Sequence, residues 1–134
     1  MNGEEVEKEA VAYWWEKAER SISAAQRELE AGAHGFAVNR LYYALFYAVS
    51  AALLERGQTY RKHSGVRSAF HREFIKPGEL DTEWGQLYDE LFEDRNEADY
   101  VEFVEFDRQY VRRQLRRCRE FLENLRPLIR SLTG

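Results

Sequence analysis

Arg95-Asn96-Glu97-Ala98-Asp99-Tyr100 places a guanidinium, a carboxylate and a phenol within one short run of chain. A guanidinium offers paired hydrogen bonds to a phosphate or carboxylate and carries its charge at every accessible pH. A phenol, with an ordinary pKa of about 10, donates a proton or a hydrogen bond at neutral pH but is a poor base. Upstream, Lys62-His63-Ser64-Gly65-Val66-Arg67-Ser68-Ala69-Phe70-His71 supplies an imidazole flanked by cations. Histidine titrates at about 6.5 and can take up a proton near neutrality. A base, an acid and a cation together could move protons on an anionic ligand. His63, Tyr100 and Arg95 are the candidate catalytic groups, in that order. Lys62, Arg67, Asn96 and Asp99 are the candidate binding groups beside them.

Each of these residues also has a purely structural use. Arg95 could be held in an ion pair by Asp94, Glu97 or Asp99. His63 could serve the start of a helix beside Ser64, and Tyr100 could be a buried ring with a satisfied hydroxyl. His71, next to Arg72, is expected on a solvated surface. Tyr42, Tyr43, Phe46 and Tyr47 are expected in the core or at a dimer interface rather than as a stacking platform. Cys118 lies in an apolar stripe and is expected to pack rather than react. No metal-ligand spacing and no phosphate-cradling glycine loop is present, so neither a metal nor a cofactor is expected.

The elements that must position these groups follow from composition and period. With 134 residues, 44% hydrophobic and 33% charged, the chain has enough apolar material for one folded domain, residues 1–134. Two prolines and eight glycines leave long stretches rich in helix formers, so an all-α protein is predicted. A first helix is predicted over residues 4–31, with Val11, Trp14, Ala18, Ile22, Ala25 and Leu29 on one stripe. A second covers 36–56 and ends at Gly57, its small residues allowing close approach of a neighbour. Ser64 is expected to cap a short third helix that stops before Pro77. Asp81 or Thr82 should cap a fourth, with Trp84, Leu87, Tyr88, Leu91 and Phe92 facing inward. Residues 95–103 lose the helical period and are read as a bend. A last helix covers 105–132, kinked or shortened by Pro127. The whole reads as an antiparallel up-down helical bundle of four long helices plus a short accessory helix.

Charge is unevenly spread over these elements. Residues 79–107 carry twelve acids and one base, Arg95, whereas residues 107–134 carry eight arginines and three acids. The basic tail reads as a solvated face that pairs with the acidic helix, or as a surface for RNA or an acidic partner. The single cysteine excludes an intramolecular disulfide and suits a reducing cytoplasm. The acidic start of the chain has no apolar run of signal type, and no uninterrupted apolar stretch of membrane-spanning length is found, so no membrane partner is expected.

Taken in order, Asn39-Arg40-Leu41-Tyr42-Tyr43-Ala44-Leu45-Phe46-Tyr47-Ala48, Lys62-His63-Ser64-Gly65-Val66 and Arg95-Asn96-Glu97-Ala98-Asp99-Tyr100 resemble the HEPN superfamily, in particular its small stand-alone prokaryotic branch. The resemblance extends over residues 10–121. It implies a helical bundle that forms homodimers, encoded beside a minimal nucleotidyltransferase in toxin-antitoxin pairs. It also implies, for active members, metal-independent ribonuclease chemistry through an Arg-x4–6-His motif in a cleft shared by two subunits. Arg95 matches the motif arginine. Tyr100 stands where the histidine is expected, and no histidine follows His71.

Two readings result. The first is a dimeric interaction module of a nucleotidyltransferase-associated system, binding a protein partner, nucleotide or RNA. The alternative is a ribonuclease with a modified Arg-x4-Tyr site using Arg95 with Tyr100 or His63. A third makes Tyr100 a hydroxyl that a partner nucleotidyltransferase adenylylates.

Overall fold

A computed structural model describes residues 3–100 and 105–132, with side chains described at 3–96 and 105–132. Five α-helices form a bundle with no strand among the described residues: α1 Gly3–Glu30, α2 His34–Glu55, α3 His63–Phe70, α4 Thr82–Tyr100 and α5 Arg108–Leu125. Short connections make α1 and α2 an antiparallel hairpin, with Gly32 in the left-handed region (φ 78°) closing the turn. The four long helices and the short accessory helix are those predicted from the apolar period.

Helix α2 is the centre of the bundle. It packs against α1, α3, α4 and α5, and its Leu41, Leu45, Val49 and Leu53 are buried between Ala37, Ala44, Ala48, Ala51 and Ala52. The alanines let neighbouring backbones approach, and each large side chain they frame contributes about 1.5–3 kcal/mol on burial. By length and composition alone α2 could cross a bilayer, contrary to the reading that no apolar stretch suffices; 61% of its most apolar window is buried in the protein. Its apolar surface therefore goes largely into the core.

Three boundaries differ from expectation. Lys62, not Ser64, occupies the cap position of α3, in extended conformation and without a side-chain cap bond, and Ser64 lies inside the helix. After Phe70 the chain continues as one π-helical stretch, His71–Ile75, before Pro77 stops it. Helix α4 does not bend at Arg95 but runs on through Tyr100. Its acid-rich last turns hide a helix because charged side chains leave no apolar period to read. The last helix begins at Arg108, with the Asp107 carboxylate accepting from the Tyr110 amide, and ends at Leu125. Pro127 sits in a 3₁₀ turn, Arg126–Leu128, so the proline shortens the helix rather than kinking it.

The uneven charge is partly answered by helix pairing. Arg117 of α5 reaches Glu90 of α4 at 2.9 Å, while Arg67 of α3 lies 3.5 Å from both Asp89 and Glu93. Arg108, Arg112, Arg113, Arg116 and Arg119 remain exposed on α5.

Candidate functional site

The start of α3, the middle of α2 and the late part of α4 meet at His63, Tyr42, Tyr43 and Arg95. His63 is the first residue of α3. Its ring stacks on Phe46 with centroids 4.3 Å apart and meets the Tyr43 ring edge-on at 5.7 Å. Its Nδ1 lies 2.7 Å from the Tyr42 hydroxyl, sharing a hydrogen bond with it. From α4, the Arg95 guanidinium sits 5.4 Å from the Tyr42 ring centre and 5.5 Å from that of Tyr43. Its Nη2 donates to the Tyr43 hydroxyl at 3.2 Å. Both ring faces attract the cation, and partial burial strengthens that attraction.

Electrostatics follow from this placement. Burial, and then the positive charge of Arg95, lower the pKa of His63 from its ordinary 6.5. The imidazole is therefore neutral at pH 7, with one nitrogen held by Tyr42 and no partner on Nε2 among the described residues. Tyr42 is fully buried, and burial pushes its phenol up to about 12, with Arg95 opposing. Behind it, burial and the adjacent Tyr42 raise the Tyr88 phenol well above its ordinary pKa. Both phenols stay protonated, so the Tyr42 hydroxyl is a fixed neutral partner that orients the imidazole.

The predicted site residues divide as follows. Arg95 and His63 are brought together. Lys62 is exposed at the cap of α3, immediately before His63, and Asn96 follows Arg95, half-buried. Arg67 stands at the flank, its guanidinium 4.4 Å from the Phe92 ring centre and bridged to Asp89 and Glu93, where it ties α3 to α4. Tyr100 and Asp99 belong to α4, but their side chains lie outside the described residues, as do those of Glu97 and Ala98. His71 is not a solvated surface residue: it is half-buried, with Nε2 3.0 Å from the Asp89 carboxylate. Gly85 of α4 makes that fit possible, because a Cβ there would stand 2.8 Å from His71 Cε1. Cys118 is completely buried, and burial raises its pKa far above the range of a reactive thiol.

Sequence reasoning missed the tyrosine hydroxyls. Tyr42 was expected only to pack, yet its hydroxyl fixes His63, and that of Tyr43 receives Arg95. The available signal was their adjacency on a helix otherwise lined with alanine and leucine, where two phenols need polar partners. Among the described residues no group of histidines, cysteines and acids is arranged to hold a metal.

The all-helical bundle that carries this site has relatives among known proteins. Residues 11–128 match the HEPN domain, and the chain belongs to the HEPN family. It is similar to a UPF0332 protein of Thermotoga maritima, with 43% identity over 122 residues, covering 91% of this chain and 92% of the relative. It is also similar to a protein of Methanocaldococcus jannaschii whose name marks it as a candidate toxin, with 36% identity over 116 residues, 87% of this chain and 79% of that one.

Proposed function

We propose that this chain is the toxin-type HEPN component of a two-component system, a single-domain module that forms a homodimer and works with a minimal nucleotidyltransferase. Its Arg95 pocket binds the phosphates of RNA or of a nucleotide. The observation that carries this reading is the convergence of Arg95 and His63, from separate helices, on one half-buried aromatic seat. The candidate-toxin name of the relative supports the toxin role, and family membership supports the dimer and the partner. A cytoplasmic location suits such a module.

The neutral His63 favours a second, more specific reading, that of a metal-independent ribonuclease. With Nδ1 held by Tyr42, His63 Nε2 takes the proton of a ribose 2′-hydroxyl. The oxygen attacks phosphorus while Arg95 neutralises charge on the non-bridging oxygens. The 5′-oxygen then leaves with a proton from Tyr100, giving a 2′,3′-cyclic phosphate and a free 5′-hydroxyl. If the partner nucleotidyltransferase instead modifies a hydroxyl of this chain, Tyr100 is its target, and transfer there silences the site.

The test is incubation of mixed-sequence RNA in EDTA with wild type, Arg95→Ala and His63→Ala, each confirmed folded. Cleavage lost in both variants is expected for the ribonuclease. Binding without cleavage, lost in Arg95→Ala, retains the binding module alone. RNA and nucleotide binding that is absent, or indifferent to Arg95, overturns both.

A further inference from the structure

Next to the Arg95–His63 seat lies a cavity that neither reading uses. It is a cavity of about 100 Å³, walled by Trp14, Phe46, Tyr60 and Val66, with Ser50 and Thr59 on its lining. A water molecule needs only about 10–15 Å³ of such space, so the cavity accepts a flat group of several heavy atoms. Its Phe46 wall is the same ring on which His63 stacks at 4.3 Å, and Val66 lies one helical turn after Lys62, whose carbonyl accepts from its amide. The cavity and the His63 seat therefore share the Phe46 ring.

The lining is suited to a ring with a polar edge. Trp14, Phe46 and Tyr60 supply aromatic surface from three different segments of the chain. The Ser50 and Thr59 hydroxyls line it and have no side-chain hydrogen-bond partner among the described residues, so their donors and acceptors are available to a ligand. Tyr60 is held in place, its hydroxyl donating to Gln58 at 2.9 Å and accepting from Arg72 at 2.7 Å. Gly65 leaves room for it, since a Cβ there would come 3.3 Å from Tyr60 Cδ1. On the Trp14 side, the Lys17 ammonium lies 5.0 Å from that ring and 4.6 Å from Tyr47, a positive charge at the margin. Aromatic walls with cationic surroundings are the usual seat of an unpaired base.

We propose that this cavity is a nucleobase subsite, taking the base of a nucleotide or of single-stranded RNA whose phosphate is held at Arg95. It rests on the proposal that Arg95 binds phosphate, and it adds that the ligand must present an unstacked base. Double-stranded RNA, with its bases paired and stacked, would not fill it.

Tryptophan emission of the full chain is titrated with AMP, with ribose 5-phosphate, with a five-nucleotide oligoadenylate and with the same oligomer lacking every base. Stacking on Trp14 should quench emission with AMP or oligoadenylate and strengthen binding about tenfold or more over the baseless counterpart. The AMP and oligomer arms distinguish free nucleotide from RNA. Ser50→Leu, which fills the cavity from a half-buried helical position, should abolish that preference while leaving affinity for the baseless ligands unchanged. Equal affinity with and without bases, still lost in Arg95→Ala, would overturn the subsite and leave the phosphate reading intact. Base-dependent quenching removed by Ser50→Leu but untouched by Arg95→Ala would retain a base pocket and overturn its link to Arg95. No quenching by any of the four ligands would overturn the proposal.

Discussion

Asp94 and Arg95 are neighbours on α4, yet they enter two polar groups of opposite character. Asp94 faces α5, where its carboxylate accepts a short hydrogen bond from the Tyr110 hydroxyl. Gln114, completely buried, donates to Tyr110 and to Glu90, each at 3.1 Å, and accepts from Arg117 at 2.9 Å. In that group donors and acceptors answer one another within the protein, and burial with the Asp94 bond pushes the Tyr110 pKa upward. Arg95 faces α2, where its guanidinium lies over the Tyr42 and Tyr43 rings and donates to the Tyr43 hydroxyl, and His63 beside it has no partner for Nε2 among the described residues. One group completes its bonding internally and fixes α5 on α4. The other is built on aromatic rings, with the His63 imidazole stacked on Phe46 and the Arg95 guanidinium over Tyr42 and Tyr43. A successive pair of residues on a helix points about 100° apart, which is enough to send the two side chains to different neighbouring helices.

Substitution on the two sides should separate these roles. Arg95→Ala should lower RNA or nucleotide phosphate affinity, and any cleavage, by roughly 100-fold or more, as loss of a positioned charge donor does. Urea unfolding of the same variant should report a much smaller change. Gln114→Leu should behave the other way round. It removes three hydrogen bonds at a buried position, to Glu90, Tyr110 and Arg117, so stability should fall by about 1–3 kcal/mol while phosphate binding stays within about twofold. If Gln114→Leu abolished binding at unchanged stability, the division between the two groups would be wrong.

How much of this was legible depends on what each residue does. The helices carried by apolar period, α1, α2 and the inner face of α4, could be read because their buried residues recur every three or four positions. The end of α4 could not, because in its charged last turns no buried stripe marks the helix. Arg95 stood out as the lone base in an acidic segment. That His63 would reach it was only conditional, since contact between α3 and α4 is a tertiary fact that no local spacing encodes. Tyr42 was misjudged in part because a fully buried tyrosine looks the same in sequence whether its hydroxyl is idle or orients an imidazole.

The contact between α3 and α4 is itself open to perturbation at Gly85. Alanine there gains about 1 kcal/mol of helix propensity. Its Cβ, however, would stand 2.8 Å from His71 Cε1 and 3.2 Å from Ile75 Cγ1, and such overpacking typically costs about 1–3 kcal/mol. Net destabilisation of roughly 1 kcal/mol is expected on that balance, read as a lowered urea midpoint. The sharper consequence is functional: His71 and Ile75 lie in the π-helical stretch that continues α3, and a shift transmitted along it to His63 should make Gly85→Ala weaken cleavage more than phosphate binding. An unchanged ratio of the two would mean that α3 does not position the imidazole.

The smallest effect is the most direct probe of the site, because it reads the Arg95–His63 pairing without any ligand. Burial first and Arg95 second hold the His63 pKa below 6.5 in the folded chain. On acidification the unfolded chain takes up this proton first, near its ordinary pKa of about 6.5. Over the window between that value and the lower folded pKa, stability falls as pH falls, and above about 6.5 this contribution is complete. His63→Gln should flatten that part of the stability–pH curve. Arg95→Ala removes the second cause but not the first, so the imidazole pKa, followed by NMR, should rise partway and remain below 6.5. The Asp94 side supplies the control: Gln114→Leu should leave the His63 titration where it was. A His63 pKa indifferent to Arg95→Ala would show that the guanidinium and the imidazole do not share one electrostatic environment, and the composite site would fail with it.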